Sequence, residues 1–389
     1  MYNNYGDNVK ELNKYQMTYF IRFIGDSMFY PFFALYLSSI GVENKELGVI
    51  MMILPLIAIF VNPIWSHFSK NVNSNRLFLR ILTIIEALMI VLLIGRTSTE
   101  AIVIITIMIA IAGQPFYIML DGFTSIFSKA NGFQYGNIRL YGSLSYALGT
   151  LAAGYLIKLY GYGTTFYLAG FFFVITGVLI HWMKPLDLSS DLDLNEKSDL
   201  KSLVRNKRYL LFAMYYIILL GTIFGADAFL GVYFETLGVE TDAFGWITFY
   251  FIIGEILVLF ILSKFGHLFK TKNILILMAI MNAIRYFSYG FGLPLVAMII
   301  ISASRSISMG GILYISIRYM TEITSSKNLT LGILLYSSFR SLLTAIITVV
   351  GGYVTDFYGY QSFYVIVGII ALIGLGFINY KESQKPLEM

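Results

Sequence analysis

The chain has 389 residues, of which 58% are hydrophobic and only 13% charged, with a mean hydropathy of +0.75; a soluble domain carries about 25% charge, so the composition excludes one and points to a polytopic membrane protein. The net charge of +5 comes from basic residues in short loops between apolar runs, which excludes nucleic-acid binding and points to orientation in a bilayer. There are no cysteines, which excludes disulfides, thiolate metal sites and cysteine nucleophiles, and His67, His181 and His267 are scattered without metal-ligand spacing, so neither metal nor cofactor is expected.

The first residues, MYNNYGDNVKELNK, are polar with mixed charge and lead into a long apolar segment. They do not read as a cleavable signal peptide, so the first span is expected to stay. A spanning helix needs about 20 mainly apolar residues. On that basis twelve segments are predicted: 15–38, 47–67, 77–95, 101–129, 137–158, 164–183, 209–235, 244–263, 274–292, 295–318, 329–355 and 360–380. The stretch KPLDLSSDLDLNEKSDLKSLVRNKR between the sixth and seventh is the one long polar segment. The expected organisation is an N-terminal six-helix half, 1–183, a cytoplasmic linker, 184–208, and a C-terminal six-helix half, 209–389.

Cytoplasmic loops are enriched in Lys and Arg. One side holds Lys70, Arg76, Arg80, Lys129, the basic linker residues, Lys264, Lys270, Lys272 and Lys327, whereas the other holds only Lys45, Arg96 and Lys158. Both termini are therefore expected in the cytoplasm of a multi-pass cell-membrane protein. An internal repeat supports two halves: GYLIKLYGYGTTFY at 154–167 recurs as GYVTDFYGYQSFY at 352–364, each closing the fifth and sixth helix of its half. The alternative is an interfacial aromatic turn used twice.

Charged residues inside apolar segments are costly in lipid and mark polar interiors. Arg22 and Asp26 in the first span lie four apart on one helix face, and mutual neutralisation or proton coupling are the two readings. Glu86 in the third span has no same-helix partner and either faces a polar neighbour or stays protonated. Asp121 and Arg139 flank a short glycine-bracketed turn, about 15 Å before it and about 5 Å after it by helical rise, so a direct pair needs the Arg stem to reach inward and a shared polar ligand explains them equally well. Further along, Asp227, Glu255, Arg285, Arg305 and Arg340 all fall within spans.

The run Asp121, Phe123, Ser128, Phe133, Gly136, Arg139, Gly142 resembles the helix IV to helix V region of the lactose permease group of the major facilitator superfamily, the oligosaccharide, nucleoside and phenylpropionate proton symporters. The resemblance runs from about Tyr15 to the last apolar segment and implies an all-α membrane protein with two parallel six-helix halves and a substrate site near the midplane. It further implies that Asp121 and Arg139 hold substrate, that Tyr146 stands where a sugar stacks, and that Glu255 contacts substrate and couples the proton. Arg285 would assist protonation and release, and Asp227 with Arg340 would form a structural ion pair. The tenth helix departs from the group, with Arg305 and Ser308 where a histidine and an acid are expected; neither titrates near neutral pH, so a proton would fall to Glu255, Asp121, Asp227 or Asp26. Arg305 is then a fixed counter-charge or a binder of an anionic substrate group.

The sequence contains no GxxxxGK[ST], HExxH or GxSxG, so neither a primary pump nor an enzyme is expected. The expected function is secondary transport of a small polar organic solute, a sugar or nucleoside, with proton symport by alternating access, by a monomer. The alternative is a carrier of aromatic or carboxylated solutes or a drug exporter, motivated by the surplus of intramembrane arginines.

Overall fold

In the computed structural model the described residues are 2–68, 72–184 and 199–378, and they contain helices and no strand. The helices are α1 (Tyr2–Phe29), α2 (Phe33–Ser39), α3 (Asn44–Phe68), α4 (Val72–Leu93), α5 (Thr99–Asn131), α6 (Tyr135–Tyr160), α7 (Tyr162–Trp182), α8 (Leu200–Arg205), α9 (Lys207–Asp227), α10 (Leu230–Thr236), α11 (Thr241–Phe265), α12 (Thr271–Gly290), α13 (Leu295–Ile301), α14 (Ser304–Ile323) and α15 (Ser326–Ile373). Long apolar runs adopt helix because lipid offers backbone N–H and C=O groups no other partner. Most of the expected linker, residues 185–198, lies outside the described residues.

Seven stretches among the described residues are long and apolar enough to cross a membrane, against twelve expected. The first, third, fifth and ninth expected segments lie in α1, α4, α6 and α12, whose charges or glycine and tyrosine content dilute their apolarity. The eleventh and twelfth merge in α15, broken only at Gly359, whose φ of 80° belongs to glycine. Length and composition therefore register fewer spans than the sequence pattern does.

The chain forms two compact units. One is built from Met1–Val42, Ile53–Leu192 and Phe234–Phe249, the other from Glu43–Met52, Asp193–Tyr233 and Tyr250–Met389. The core of the first gathers Tyr15, Tyr19, Phe23, Phe116, Phe127 and Ile180; that of the second gathers Tyr215, Leu219, Ile223, Met278, Ile312 and Tyr336. Lipid tails are as apolar as these side chains, so packing and hydrogen bonds rather than water exclusion hold the helices together.

Backbone approaches backbone most closely at two glycine crossings. In the first unit Gly154 of α6 meets α11, where a Cβ would stand 2.7 Å from the Thr241 carbonyl oxygen and 3.2 Å from the Gly245 Cα. In the second, Gly352 of α15 meets α3, where a Cβ would stand 2.5 Å from the Asn44 carbonyl oxygen and 3.2 Å from the Gly48 Cα. Gly154 and Gly352 open the two copies of the repeat, and seven residues on Gly161 and Gly359 both turn the chain with φ near +80°. An aromatic interfacial turn alone would not need the first glycine; the repeat preserves a crossing and the turn that follows it.

Because backbone blocks the added atoms, Gly154→Val and Gly352→Val are each expected to cost about 1–3 kcal/mol or more, as overpacking does. Thermal unfolding in detergent should show the loss for both, and little change for Gly122→Ala, where a Cβ meets nothing within 4 Å.

Three helical runs are interrupted beside charged side chains. The 3-10 turn Tyr30–Phe32, containing Pro31, separates α1 from α2 and begins one helical turn after Asp26. α9 stops at Asp227 before α10 begins at Leu230, and α13 ends at Ile301 just ahead of Arg305 in α14. Interrupted helices expose polar backbone ends, the arrangement that membrane carriers use to handle polar solutes and ions.

Candidate functional site

Three charged clusters emerge, two in the first unit and one in the second. In the deepest, Arg22 of α1 is 0% exposed and donates two hydrogen bonds to Glu86 of α4, Nη1 to Oε2 at 2.7 Å and Nη2 to Oε1 at 2.9 Å. Tyr30 adds a hydroxyl donor to Glu86 Oε1 at 2.7 Å. The guanidinium lies between rings, 3.9 Å from the Phe173 centroid and 4.4 Å from that of Phe116. Asp26, 1% exposed, sits 3.1 Å from Arg22 Nη2, yet neither of its oxygens accepts a hydrogen bond among the described residues. One cation thus serves two buried carboxylates, and Glu86 takes the better geometry. Gly113 of α5 makes the room: a Cβ there would lie 2.4 Å from Glu86 Oε1 and 2.8 Å from the Tyr30 hydroxyl.

The second cluster is open to solvent. Arg139 Nε of α6 stands 3.8 Å from Asp121 Oδ1 of α5, with side chains 34% and 39% exposed. The pair forms, but at the long end of ion-pairing range, and the Tyr19 hydroxyl supplies Asp121 with a shorter hydrogen bond. Arg139 lies over Phe23 at 4.4 Å, and Phe23 meets Tyr117 and Tyr146 edge-on at 5.8 and 6.4 Å between centroids. A carboxylate and a guanidinium, both part-exposed and bounded by aromatic rings, can hydrogen-bond a hydroxylated solute and stack against its ring.

In the second unit Asp227 pairs with Arg285 and Arg305, not with Arg340, the partner that the family resemblance implies. Its Oδ1 accepts from Arg285 Nη2 at 3.0 Å and its Oδ2 from Arg305 Nε at 2.6 Å. Asp227 is the last residue of α9, where the helix dipole disfavours a carboxylate, and two guanidinium groups offset that cost. Arg305 Nη1 is also 3.9 Å from Glu255 Oε2 of α11. Arg305 is therefore a counter-charge to two carboxylates. Arg285, 0% exposed, anchors Asp227 and bonds the Tyr286 hydroxyl at 2.8 Å. Ser308 donates to the Met278 carbonyl oxygen at 3.2 Å and is internally satisfied.

Sequence reasoning missed the Arg22 to Glu86 pair, because same-helix spacing favoured Asp26. The signal was present in Glu86, a mid-span acid with no partner on its own helix. Among the described residues no group of three or more His, Cys, Asp or Glu side chains could hold a metal ion.

Long apolar helices, charges at helix interruptions and a solvent-facing polar pair lined with aromatic rings define a multi-pass membrane carrier of small solutes. The family follows from comparison: residues 12–366 match the model of the MFS_1 like family, and the chain belongs to it. This is a family of transporters, not enzymes. Among its relatives the maltose permease of Geobacillus stearothermophilus is 21% identical, over 93% of this chain and 92% of that one. The probable 3-phenylpropionic acid transporter of Escherichia coli is 21% identical over 91% and 93%. The fold is that of the crystal structure of a point mutant of the nucleoside transporter NupG, with a TM-score of 0.82 and 13% identity over 95% of this chain and all of that one.

Proposed function

We propose that the protein is a secondary transporter with twelve spans and both termini in the cytoplasm, carrying a small hydroxylated ring solute of the sugar or nucleoside kind with a proton, by alternating access. The observation that carries this reading is the half-exposed Asp121 and Arg139 pair with Tyr19, Phe23 and Tyr146 around it. Maltose and nucleoside carriers among its relatives and fold neighbours are consistent with that chemistry. In the first unit Asp121 and Arg139 bind hydroxyls and Tyr146 supplies a ring face; in the second, Glu255, with Arg305 beside it, is proposed as an acid that takes part in proton coupling.

Proton coupling is assigned chiefly to Asp26. With both carboxylates ionised, the Arg22, Asp26 and Glu86 cluster carries one net negative charge in a fully buried setting, which is costly in lipid. A proton on Asp26 neutralises it, while Glu86 keeps its two bonds to Arg22 and Tyr30 keeps its bond to Glu86. Tyr117, the remaining polar group facing the cluster, donates no positive charge. Arg285 fixes Asp227 and so sets the field around Glu255.

The test is external pH and labelled uptake in lightly buffered vesicles given sugars, nucleosides and aromatic acids. One solute class should alkalinise the medium as it enters. Asp26→Asn should abolish the pH change and uphill accumulation yet preserve solute exchange, whereas Glu255→Gln should lower both. Full alkalinisation by Asp26→Asn would remove the proton from Asp26.

A further inference from the structure

Among the described residues, the charges deep in the spans of the second unit do not balance. Asp227 and Glu255 face Arg285 and Arg305, two of each sign. Arg340 is left over. It stands fourteen residues into α15, about 21 Å from its start by helical rise, so it lies far from the helix end and any headgroup there. No carboxylate among the described residues comes within ion-pairing range of it; its Nη2 donates to Ser341 Oγ at 3.0 Å, and the guanidinium lies 4.9 Å from the Phe224 ring centroid of α9.

A neutral hydroxyl and one ring face do not match the cost of holding a guanidinium at this depth. A cation over an aromatic face recovers only part of what taking the ion from water costs. The surroundings are also open rather than sealed. Phe224 is 37% exposed and Arg340 is only half-buried. One turn before Arg340, Tyr336 packs against Tyr216 of α9 with ring centroids 4.1 Å apart, which places aromatic surface beside the cation.

We propose that Arg340 binds a carboxylate of the transported solute, and hence that the solute is a ring-bearing organic monoanion of the sugar kind, such as a sugar acid. A single guanidinium offers two parallel N–H donors in the geometry a carboxylate accepts. One positive charge left over matches one negative charge; a dianion such as a phosphate ester would leave an excess. Arg305, the cation first suspected of this role, is already held by Asp227 and Glu255. The inference rests on the transporter reading and adds the charge of the solute to it.

The experiment compares a neutral sugar, a nucleoside, a sugar monocarboxylate, an aromatic monocarboxylate and the methyl esters of both acids, read by thermal stabilisation of the purified protein and by labelled uptake into proteoliposomes. The sugar acid should stabilise the protein and enter, with its ester weaker by ten-fold or more. Arg340→Gln should weaken that acid at least ten-fold, and Arg340→Lys should restore part of the loss. Phe224→Asp supplies an internal carboxylate opposite the cation, so it should stay folded and still reject the acid. Equal binding of acid and ester, binding of neutral solutes alone, or unaltered acid affinity in both Arg340→Gln and Phe224→Asp would overturn the anion site and leave the transporter reading standing. If no solute enters proteoliposomes, transport is what fails, while stabilisation by the acid that disappears in Arg340→Gln still upholds the site.

Discussion

Arg22→Gln is expected to be among the most destabilising single substitutions in the chain. The residue is fully buried and carries the only positive charge facing Glu86 and Asp26 among the described residues. Its removal leaves two carboxylates, 0% and 1% exposed, with hydroxyl partners alone. Removing one member of a buried pair costs about 3–5 kcal/mol because the survivor is uncompensated; here the survivors repel each other as well. Protonating both acids would relieve the charge at the expense of the hydrogen bonds Glu86 now accepts. The measurement is the thermal midpoint of purified protein, or the folded yield in membranes where none can be purified. Arg22→Gln with Glu86→Gln should recover much of the loss, since the net charge of the cluster then equals that of the parent. Equal stability of Arg22→Gln and the parent would mean that the cluster is not a charged one.

Asp227→Asn is expected to abolish transport and to destabilise the second unit by a similar margin. The carboxylate accepts from both Arg285 and Arg305, and without it only Glu255 remains opposite two guanidinium groups. Arg285 is 0% exposed and has no solvent to turn to. Asparagine keeps the shape and one acceptor oxygen, so the loss reports charge rather than packing. The double variant Asp227→Asn with Arg305→Gln should be more stable than Asp227→Asn alone, because the cation count falls with the anion count. If Arg340 were the partner, Asp227→Asn with Arg340→Gln would be the rescuing pair instead; no rescue is expected from it.

Helix positions were largely legible in the sequence. The fourth and fifth expected segments, 101–129 and 137–158, correspond to Thr99–Asn131 and Tyr135–Tyr160, and the turn between them carries Gly132 at φ 71°. Runs of apolar residues ended by glycine admit few other readings. The broken runs were less legible. Pro31 marks the first interruption, but nothing in GADAFLG distinguishes the stop after Asp227 from continuous helix, and the seventh expected segment runs through it.

The charged partners were the least legible part. That Arg22 and Asp26 share a face follows from a spacing of four, whereas the choice of Glu86 depends on how α1 sits against α4 and α5. The same holds for Asp227, whose partners on α12 and α14 lie 58 and 78 residues away in sequence. An ion pair across helices is decided by rotation of each helix about its axis, and residue type alone fixes which charges are available and not which of them meet.

The two glycine crossings carry a final consequence. Four residues after Gly154, Lys158 reaches Glu240 at 2.6 Å and Asp242 at 2.9 Å beside the start of α11; four residues after Gly352, Asp356 Oδ2 accepts from the Lys45 backbone N–H at 3.1 Å in the first turn of α3. Equivalent positions of the repeat thus carry opposite charge. One joint is fastened by ions on the surface, which salt screens over a Debye length of about 8 Å at physiological strength. The other uses a carboxylate against a helix N-terminus, where a directional hydrogen bond survives screening better than the field does. Two joints of like mechanical design therefore differ in their response to ionic strength, and a duplicated architecture acquires a weaker side and a stronger one.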